Sequence, residues 1–264
     1  MKEFNTENNK EWACILGGSS GLGLASAKKL ASHGLNICIV HRTRRSKLDD
    51  FVKQCDLMRQ DDVEVVTFNS DALKEETQAN ICTFFTEKQA KIRVFLHSIA
   101  RGNLKPVYTQ SSEGTLTNED FSLTVNSMAL SLYDWTSAFA KAKLFSPQSR
   151  IIAFTSEGSY KVLPNYAAVS AAKAALEAII RNLAYEFAPL GITANCIQAG
   201  VTDTESLNLI PESMQIKAEA LQRNPHHRLT APEDVANVVY LLSKDEAQWI
   251  TGTIIKADGG EHLR

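Results

Sequence analysis

The feature that most constrains this chain is a repeated exchange between two hydrophobic periods. Short β-branched runs stand at Trp12–Leu16, Leu35–Val40, Val63–Phe68, Ile92–His97, Arg150–Thr155, Ile192–Ile197 and Thr253–Lys256. Between them lie stretches of 3.6-residue periodicity: Leu22–Ser32, Lys74–Gln89, Asp120–Lys141, Ala167–Phe187 and Pro232–Leu242. The short runs are apolar almost throughout, which marks strands covered on both faces. Strand–helix alternation of this kind predicts an α/β fold: a parallel sheet, doubly wound, with helices on both faces. A chain of 264 residues suffices for one large core, and α/β domains of this size commonly stay undivided. We therefore expect one domain over residues 11–264 behind a polar tail at residues 1–10.

One segment breaks the rhythm. Residues 203–228, DTESLNLIPESMQIKAEALQRNPHHR, make a long excursion between the sixth strand and the last helix. At the C-terminal edge of a parallel sheet, a long connection is where a binding lid belongs. A helical pair packed on the surface fits the same residues.

Composition removes several classes of function. A net charge of −2 is no basic excess, so nucleic-acid binding is not expected. The apolar runs are broken by Lys, Arg or Asp, and the first residues have no signal-like hydrophobic stretch; neither a membrane span nor secretion is expected, and the expected location is cytoplasmic. Cys14, Cys38, Cys55, Cys82 and Cys196 are scattered, with no C-x-x-C. They read as small buried hydrophobes in a reducing compartment, not as disulfides or a zinc site. His226-His227 reads as a surface pair, because adjacent side chains diverge and no carboxylate cluster accompanies them; no metal is expected.

The first strand runs directly into Gly17-Gly18-Ser19-Ser20-Gly21-Leu22-Gly23 and then into a helix. Glycines at the first, fifth and seventh places permit a tight turn, close approach of backbone to phosphate, and a helix N-terminus aimed at a pyrophosphate. Gly17, Ser19, Ser20, Gly21, Leu22 and Gly23 are thus candidate cofactor contacts. The second strand ends at Val40 and is followed by His41-Arg42-Thr43-Arg44-Arg45. An acid there would bind an adenosine ribose and repel a 2′-phosphate; bases do the opposite, which favours NADPH over NADH. A solvated basic turn is the plainer alternative. Asp71-Ala72 follows the third strand, where a carboxylate can accept a hydrogen bond from the adenine amino group.

Taken together, the glycine turn, Asp71, Asn126, Ser156, Lys173, Pro232-Glu233-Asp234-Val235-Ala236, Thr251-Gly252 and Asp258-Gly259-Gly260 resemble the short-chain dehydrogenase/reductase family over residues 11–260. The resemblance implies a Rossmann fold with a seven-stranded sheet and a homotetrameric or homodimeric assembly. The ordinary family pattern has Tyr four residues before Lys, and that place is Val169. The available phenol is Tyr166, seven residues before Lys173. Both spacings keep the two side chains on one helical face, but the longer one moves the hydroxyl about 4.5 Å along the axis. When a ketone is reduced, hydride lands on the carbon that bears the oxygen. When a conjugated enoyl thioester is reduced, it lands on the β-carbon and charge develops on an oxygen further away, which suits a displaced donor.

The Tyr-x6-Lys spacing is similar to that of enoyl-acyl carrier protein reductases of fatty-acid synthesis. So is His97-Ser98-Ile99-Ala100, which stands where ordinary members have Asn-Asn-Ala-Gly, and Ala199-Gly200, which replaces Pro-Gly. The short glycine turn, with Ser156 where NADH-linked enoyl reductases carry a second tyrosine, is most like the NADPH-linked branch. This implies reduction of a trans-2-enoyl thioester carried on acyl carrier protein or coenzyme A. By the same resemblance Tyr166 meets the enolate oxygen, Lys173 the nicotinamide ribose, and Ser156 the carbonyl or the carboxamide. Ser98, Ile99, Ala100, Gly200 and Thr204 would contact the cofactor, with Thr204 at the carboxamide. Asn126 is read as structural or part of a proton relay, Tyr160 as a loop or pocket-wall residue, and Glu177 and Glu186 as serving packing or solvent. The competing functions are a 3-oxoacyl or other carbonyl reductase, and an NADP-binding protein without turnover.

Overall fold

A computed structural model describes residue 4 and residues 10–60, 62–110, 114–210 and 212–264. Seven strands form where the apolar runs predict them: β1 (Glu11–Leu16), β2 (Asn36–His41), β3 (Val65–Asn69), β4 (Lys91–His97), β5 (Phe145–Thr155), β6 (Thr193–Ala199) and β7 (Ile254–Ala257). They pair in parallel in the order β3-β2-β1-β4-β5-β6-β7. The winding direction reverses between β1 and β4, so a crevice opens outside their carboxyl ends, the place where open α/β sheets bind ligands.

The unbroken apolar character of the strands has a direct cause. Along β1, Trp12, Cys14 and Leu16 enter one core with Phe95, Trp135 and Leu176. Ala13 and Ile15 enter the other with Ile37, Val94 and Val235. Both sheet faces are therefore covered by helices: α1 (Gly21–Ser32), α2 (Arg45–Arg59), α3 (Glu75–Glu87), α4 (Asn118–Val125), α5 (Ser131–Lys141), α6 (Ala167–Phe187) and α9 (Pro232–Ser243). The short α7 (Glu205–Asn208) and α8 (Ser213–Arg223) lie within the 203–228 excursion. The cysteines are free, and all but the half-buried Cys82 are buried. No helix among the described residues is long and apolar enough to cross a membrane.

Two helical expectations change. Helix α2 has no counterpart in the periodicity, because its charged sequence RSKLDDFVKQCDLMR buries only Phe51, Cys55 and Met58. The helix expected over Asp120–Lys141 is two helices joined by a π-helical turn at Asn126–Leu130, a feature that often marks functional regions. Its start is set by a capping box: Thr117 Oγ1 accepts from the Asp120 N–H at 3.2 Å, and Asp120 Oδ2 accepts from the Thr117 N–H at 3.0 Å. Most of the expected polar tail at 1–10 lies outside the described residues. Phe4, however, donates its N–H to the His33 carbonyl at 3.1 Å and sets its ring edge-on to Tyr240.

The turn after β1 is where the backbone is most crowded. Gly17 has φ +78°, and a Cβ there would overlap the carbonyl of Ser98 at the end of β4. Gly17→Ala should therefore cost at least about 2 kcal/mol, backbone strain and collision together. Gly114 has a similar φ of +74° but open space around it, so Gly114→Ala should cost only about 1 kcal/mol. Urea unfolding of the two variants side by side checks the difference.

Candidate active site

A cavity of about 690 Å³ crosses the carboxyl ends of the central strands. The residues assigned from sequence to cofactor and catalysis line it, from the β1–α1 turn to Ser156, Tyr166 and Lys173, with one exception. Gly23 does not face the cavity; it is buried in the first turn of α1, where a Cβ would strike the Gly17 carbonyl. Its role is to let α1 close on the turn, not to touch a ligand. Ser20 precedes α1 without capping it through its side chain, so the first N–H groups remain free to meet an anion.

At the adenosine end the basic segment contributes less charge than its sequence suggests. His41 is buried against Phe51, with Nδ1 2.7 Å from Thr43 Oγ1. Burial lowers its pKa to about 4, so it is neutral at pH 7. Arg44 and Arg45 are exposed and lie outside the cavity lining. Arg42 does line the cavity, and it donates to Asp71 Oδ2 at 2.6 Å. Arg101 approaches the same oxygen at 3.5 Å. Burial works to raise the Asp71 carboxyl, but the Leu73 N–H and Arg42 outweigh it and hold it below its ordinary value.

At the other end, Tyr166 stands immediately before α6, and Lys173 lies two turns along that helix. Burial pushes the Tyr166 phenol up, and the nearby Ser156 hydroxyl acts in the opposite sense. That proximity is not a hydrogen bond of regular geometry. Ser156 Oγ is buried without a partner among the described residues, a polar atom left for a ligand to satisfy. Lys173 Nζ donates to the Phe154 carbonyl at 2.7 Å, and burial lowers its pKa to about 8. Val169, at the ordinary tyrosine place, is buried with Met128 and Ala172. A neighbouring glycine, Gly102, brings backbone against that wall: its Cβ would come 3.1 Å from Val169 Cγ2.

Three residues near the chemistry were not assigned to it from sequence. Gly158 lies against the Tyr166 ring; a Cβ there would sit 2.5 Å from Tyr166 Cε1 and 2.8 Å from Cδ1. The available signal was a glycine two places past Ser156 that needs no positive φ. Glu177, expected to serve packing or solvent, takes the first of these: it is buried and accepts from Thr155 Oγ1 at 2.6 Å. His97 is buried with Nε2 2.8 Å from Ser131 Oγ, and burial with the nearby Lys173 charge lowers its pKa to about 3. Other expectations change in the opposite direction. Asn126 opens the π-helical turn, is exposed, and does not line the cavity. Tyr160 is also exposed and outside the lining, its hydroxyl accepting from Gln198 Nε2 at 3.4 Å. Glu186, His226 and His227 are exposed.

Residues of the 203–228 excursion wall the cavity, with Leu207, Ile210 and Ile216 among them. Its second helix is anchored by Arg223, which donates Nη2 to Glu157 Oε1 and to Glu261 Oε1, each at 2.8 Å. Thr204 lines the cavity while capping α7 through its side chain, which accepts from the Leu207 N–H at 3.3 Å.

The family model described as Enoyl-(Acyl carrier protein) reductase matches residues 17–262. The chain belongs to this family of short-chain dehydrogenases/reductases. Its relatives do not share one substrate. The 3-oxoacyl-(acyl-carrier-protein) reductase MabA of Mycobacterium bovis is 26% identical, over 93% of this chain and 90% of that protein. Enoyl-(acyl-carrier-protein) reductase (NADH) 2 of Rhizobium meliloti is 28% identical, over 93% of this chain and 88% of its own length. Among solved structures, an enoyl-(acyl-carrier-protein) reductase (NADH) from Aquifex aeolicus superposes with a TM-score of 0.83 at 25% identity, covering 96% of this chain and 97% of that one.

This short-chain dehydrogenase/reductase has the means to hold a nicotinamide dinucleotide. The Gly17 turn leaves a cradle beside Ser98 that a Cβ would fill, and Ser156 offers an unsatisfied hydroxyl at the catalytic end. Two predictions follow from the geometry. Gly158→Ala should push the Tyr166 ring aside and lower turnover about 10-fold or more, since positioned donors lose effect with small displacements. Cofactor affinity, measured by nucleotide fluorescence, should stay within about 2-fold, because the cofactor turn is untouched. The second concerns pH. His41 and His97 titrate near 4 and 3 in the folded chain but at 6.5 when unfolded. Between pH 6.5 and 4 the unfolded chain binds the extra protons, so stability must fall as pH drops through that window. His97→Asn should flatten part of the slope in urea midpoints measured across it.

Proposed function

We propose that this enzyme reduces the 2,3 double bond of a trans-2-enoyl thioester with NADPH. The observation that carries the reading is the seven-residue step from Tyr166 to Lys173, with Val169 buried against Met128 where a ketone-reducing relative keeps its acid. Valine neither donates a proton nor binds an oxyanion, which leaves Tyr166, seven residues before Lys173, as the phenol for the role. The bound nicotinamide would supply hydride to the β-carbon of the substrate.

The chain's own residues do the rest. Tyr166 donates a hydrogen bond to the thioester oxygen as enolate charge develops there, which is where stabilisation acts on the barrier, and a proton from water then reaches the α-carbon to give the saturated thioester. Lys173 presents a cation to the nicotinamide ribose and favours ionisation of the neighbouring phenol. Ser156, whose hydroxyl lacks a partner, orients the substrate carbonyl or the carboxamide. Leu207, Ile210 and Ile216 give the acyl chain an apolar wall and exclude water from the reacting carbons. Arg42 meets the 2′-phosphate by exchanging its Asp71 partner for a dianion, and Thr204 meets the carboxamide. The 203–228 segment acts as a lid that orders further over a bound acyl chain. The thioester carrier is acyl carrier protein or coenzyme A, the setting fatty-acid synthesis in the cytoplasm, and the assembly a homotetramer or homodimer.

The second reading, a 3-oxoacyl reductase, is favoured by the likeness to MabA. Crotonyl and acetoacetyl thioesters, each assayed with NADPH and NADH, separate the two. We expect crotonyl thioester to be reduced with NADPH, far more efficiently than with NADH; reduction of acetoacetyl thioester alone would move the assignment to the second reading. Tyr166→Phe should lower enoyl turnover about 10²–10⁴-fold while cofactor still binds. Val169→Tyr should not rescue it. Arg42→Ala should raise the apparent KM for NADPH and leave that for NADH nearly unchanged.

A further inference from the structure

Glu177 is the buried carboxylate that the reaction above leaves unused. It lies one turn beyond Lys173 on α6 and is 9% exposed. A carboxylate so placed is expensive unless something holds it. Thr155 Oγ1 donates to its Oε1 at 2.6 Å, and one residue earlier in β5 the Phe154 carbonyl accepts from Lys173 Nζ at 2.7 Å. The last two residues of β5 are thus each tied to α6, one through Lys173 and the next through Glu177. Ser156 follows immediately.

Lys173 needs such a neighbour. It is 6% exposed, and its hydrogen bond to Phe154 goes to a neutral carbonyl. Burial disfavours an ammonium in that setting. The ionisable groups whose charges bear on it come from three elements: Glu177 from α6, Cys196 from β6 and His97 from β4. Two of them bring no negative charge at pH 7. Burial pushes the Cys196 thiol up to about 12, and His97 is neutral. Glu177 is left as the group that can balance the ammonium.

We infer that Glu177 is a positioning residue that, clamped by Thr155, keeps Lys173 protonated and holds it against the end of β5. The inference rests on reading Lys173 as the cation of the site and not on the identity of the substrate. Its sign is definite: removing the negative charge must lower the pH at which Lys173 loses its proton. The same loss should bring down the alkaline limit of cofactor binding.

The test is a titration of Lys173 in the full chain by NMR of lysine ε-carbons, the resonance being assigned by its loss in Lys173→Arg. Glu177→Gln keeps an acceptor for Thr155 but removes the charge, and should lower the midpoint by about one pH unit, with Glu177→Asp restoring most of it. NADPH affinity, followed by fluorescence from neutral to alkaline pH, should fail at a correspondingly lower pH in Glu177→Gln. Thr155→Val offers an independent arm if Glu177→Gln does not fold: with its clamp gone the Glu177 carboxylate is free to turn away from Lys173, and the Lys173 midpoint should again move down. Coincident midpoints in the unmodified protein and the variant that folds would overturn the proposal, whatever happens to activity. No substrate enters these titrations, so their outcome is separate from whether enoyl thioesters are reduced.

Discussion

The catalytic end depends on how the start of α6 is held against the end of β5. Lys173 reaches across to the Phe154 carbonyl, and Thr155 reaches back to Glu177. Further along α6, Leu176, Ile180 and Leu183 anchor the helix in the core shared with β1 and β4. That packing holds Lys173 rigidly on α6, while Tyr166 stands just outside the helix as its N-cap, with φ −107° and ψ 1°. Ser156 follows β5 without a break, and Gly158 then gives the Tyr166 ring a seat. Three groups of the site are thereby positioned by one strand end and one helix.

The electrostatics of the cavity divide into a dry interior and a wetter rim. Inside, burial dominates: His97 is kept neutral, Lys173 is brought to about 8, and the Tyr166 phenol is raised. Of these groups, Lys173 is the one close enough to neutral pH for small changes in surroundings to decide its protonation state. At the rim, opposite charges pair instead. Arg42 and Arg101 share Asp71, Lys47 of α2 meets Glu205 of α7 at 2.5 Å, and Arg223 joins Glu157 to Glu261. The Arg223 network is the most buried of these. Glu261 is 2% exposed, and its Oε2 also accepts from the Val201 N–H at 3.1 Å. It therefore ties the excursion after β6, the loop after Ser156 and the last residues of the chain into one wall.

Much of this architecture was legible in the residues themselves. Seven apolar runs became seven strands, and the glycine turn lies at the first βα junction, because strand burial and tight turns are written in local composition. The helix that escaped notice, α2, is mostly solvated, so its stripe is too narrow to stand out. The π-helical turn escaped notice for a different reason. It is defined by backbone hydrogen bonding across Asn126–Leu130, which no side-chain pattern announces.

The sequence by itself determined the doubly wound sheet, the cofactor turn and the Tyr166–Lys173 spacing, all of which follow from periods and offsets within a few residues. Tertiary structure alone decided which charges count. It showed His41 neutral, Arg42 engaged by a residue 29 places away, and Glu177 buried beside Lys173 and bonded to a threonine 22 places back. Ionisation depends on the dielectric and the neighbours that folding assembles from distant parts of the chain. No local pattern encodes that surrounding.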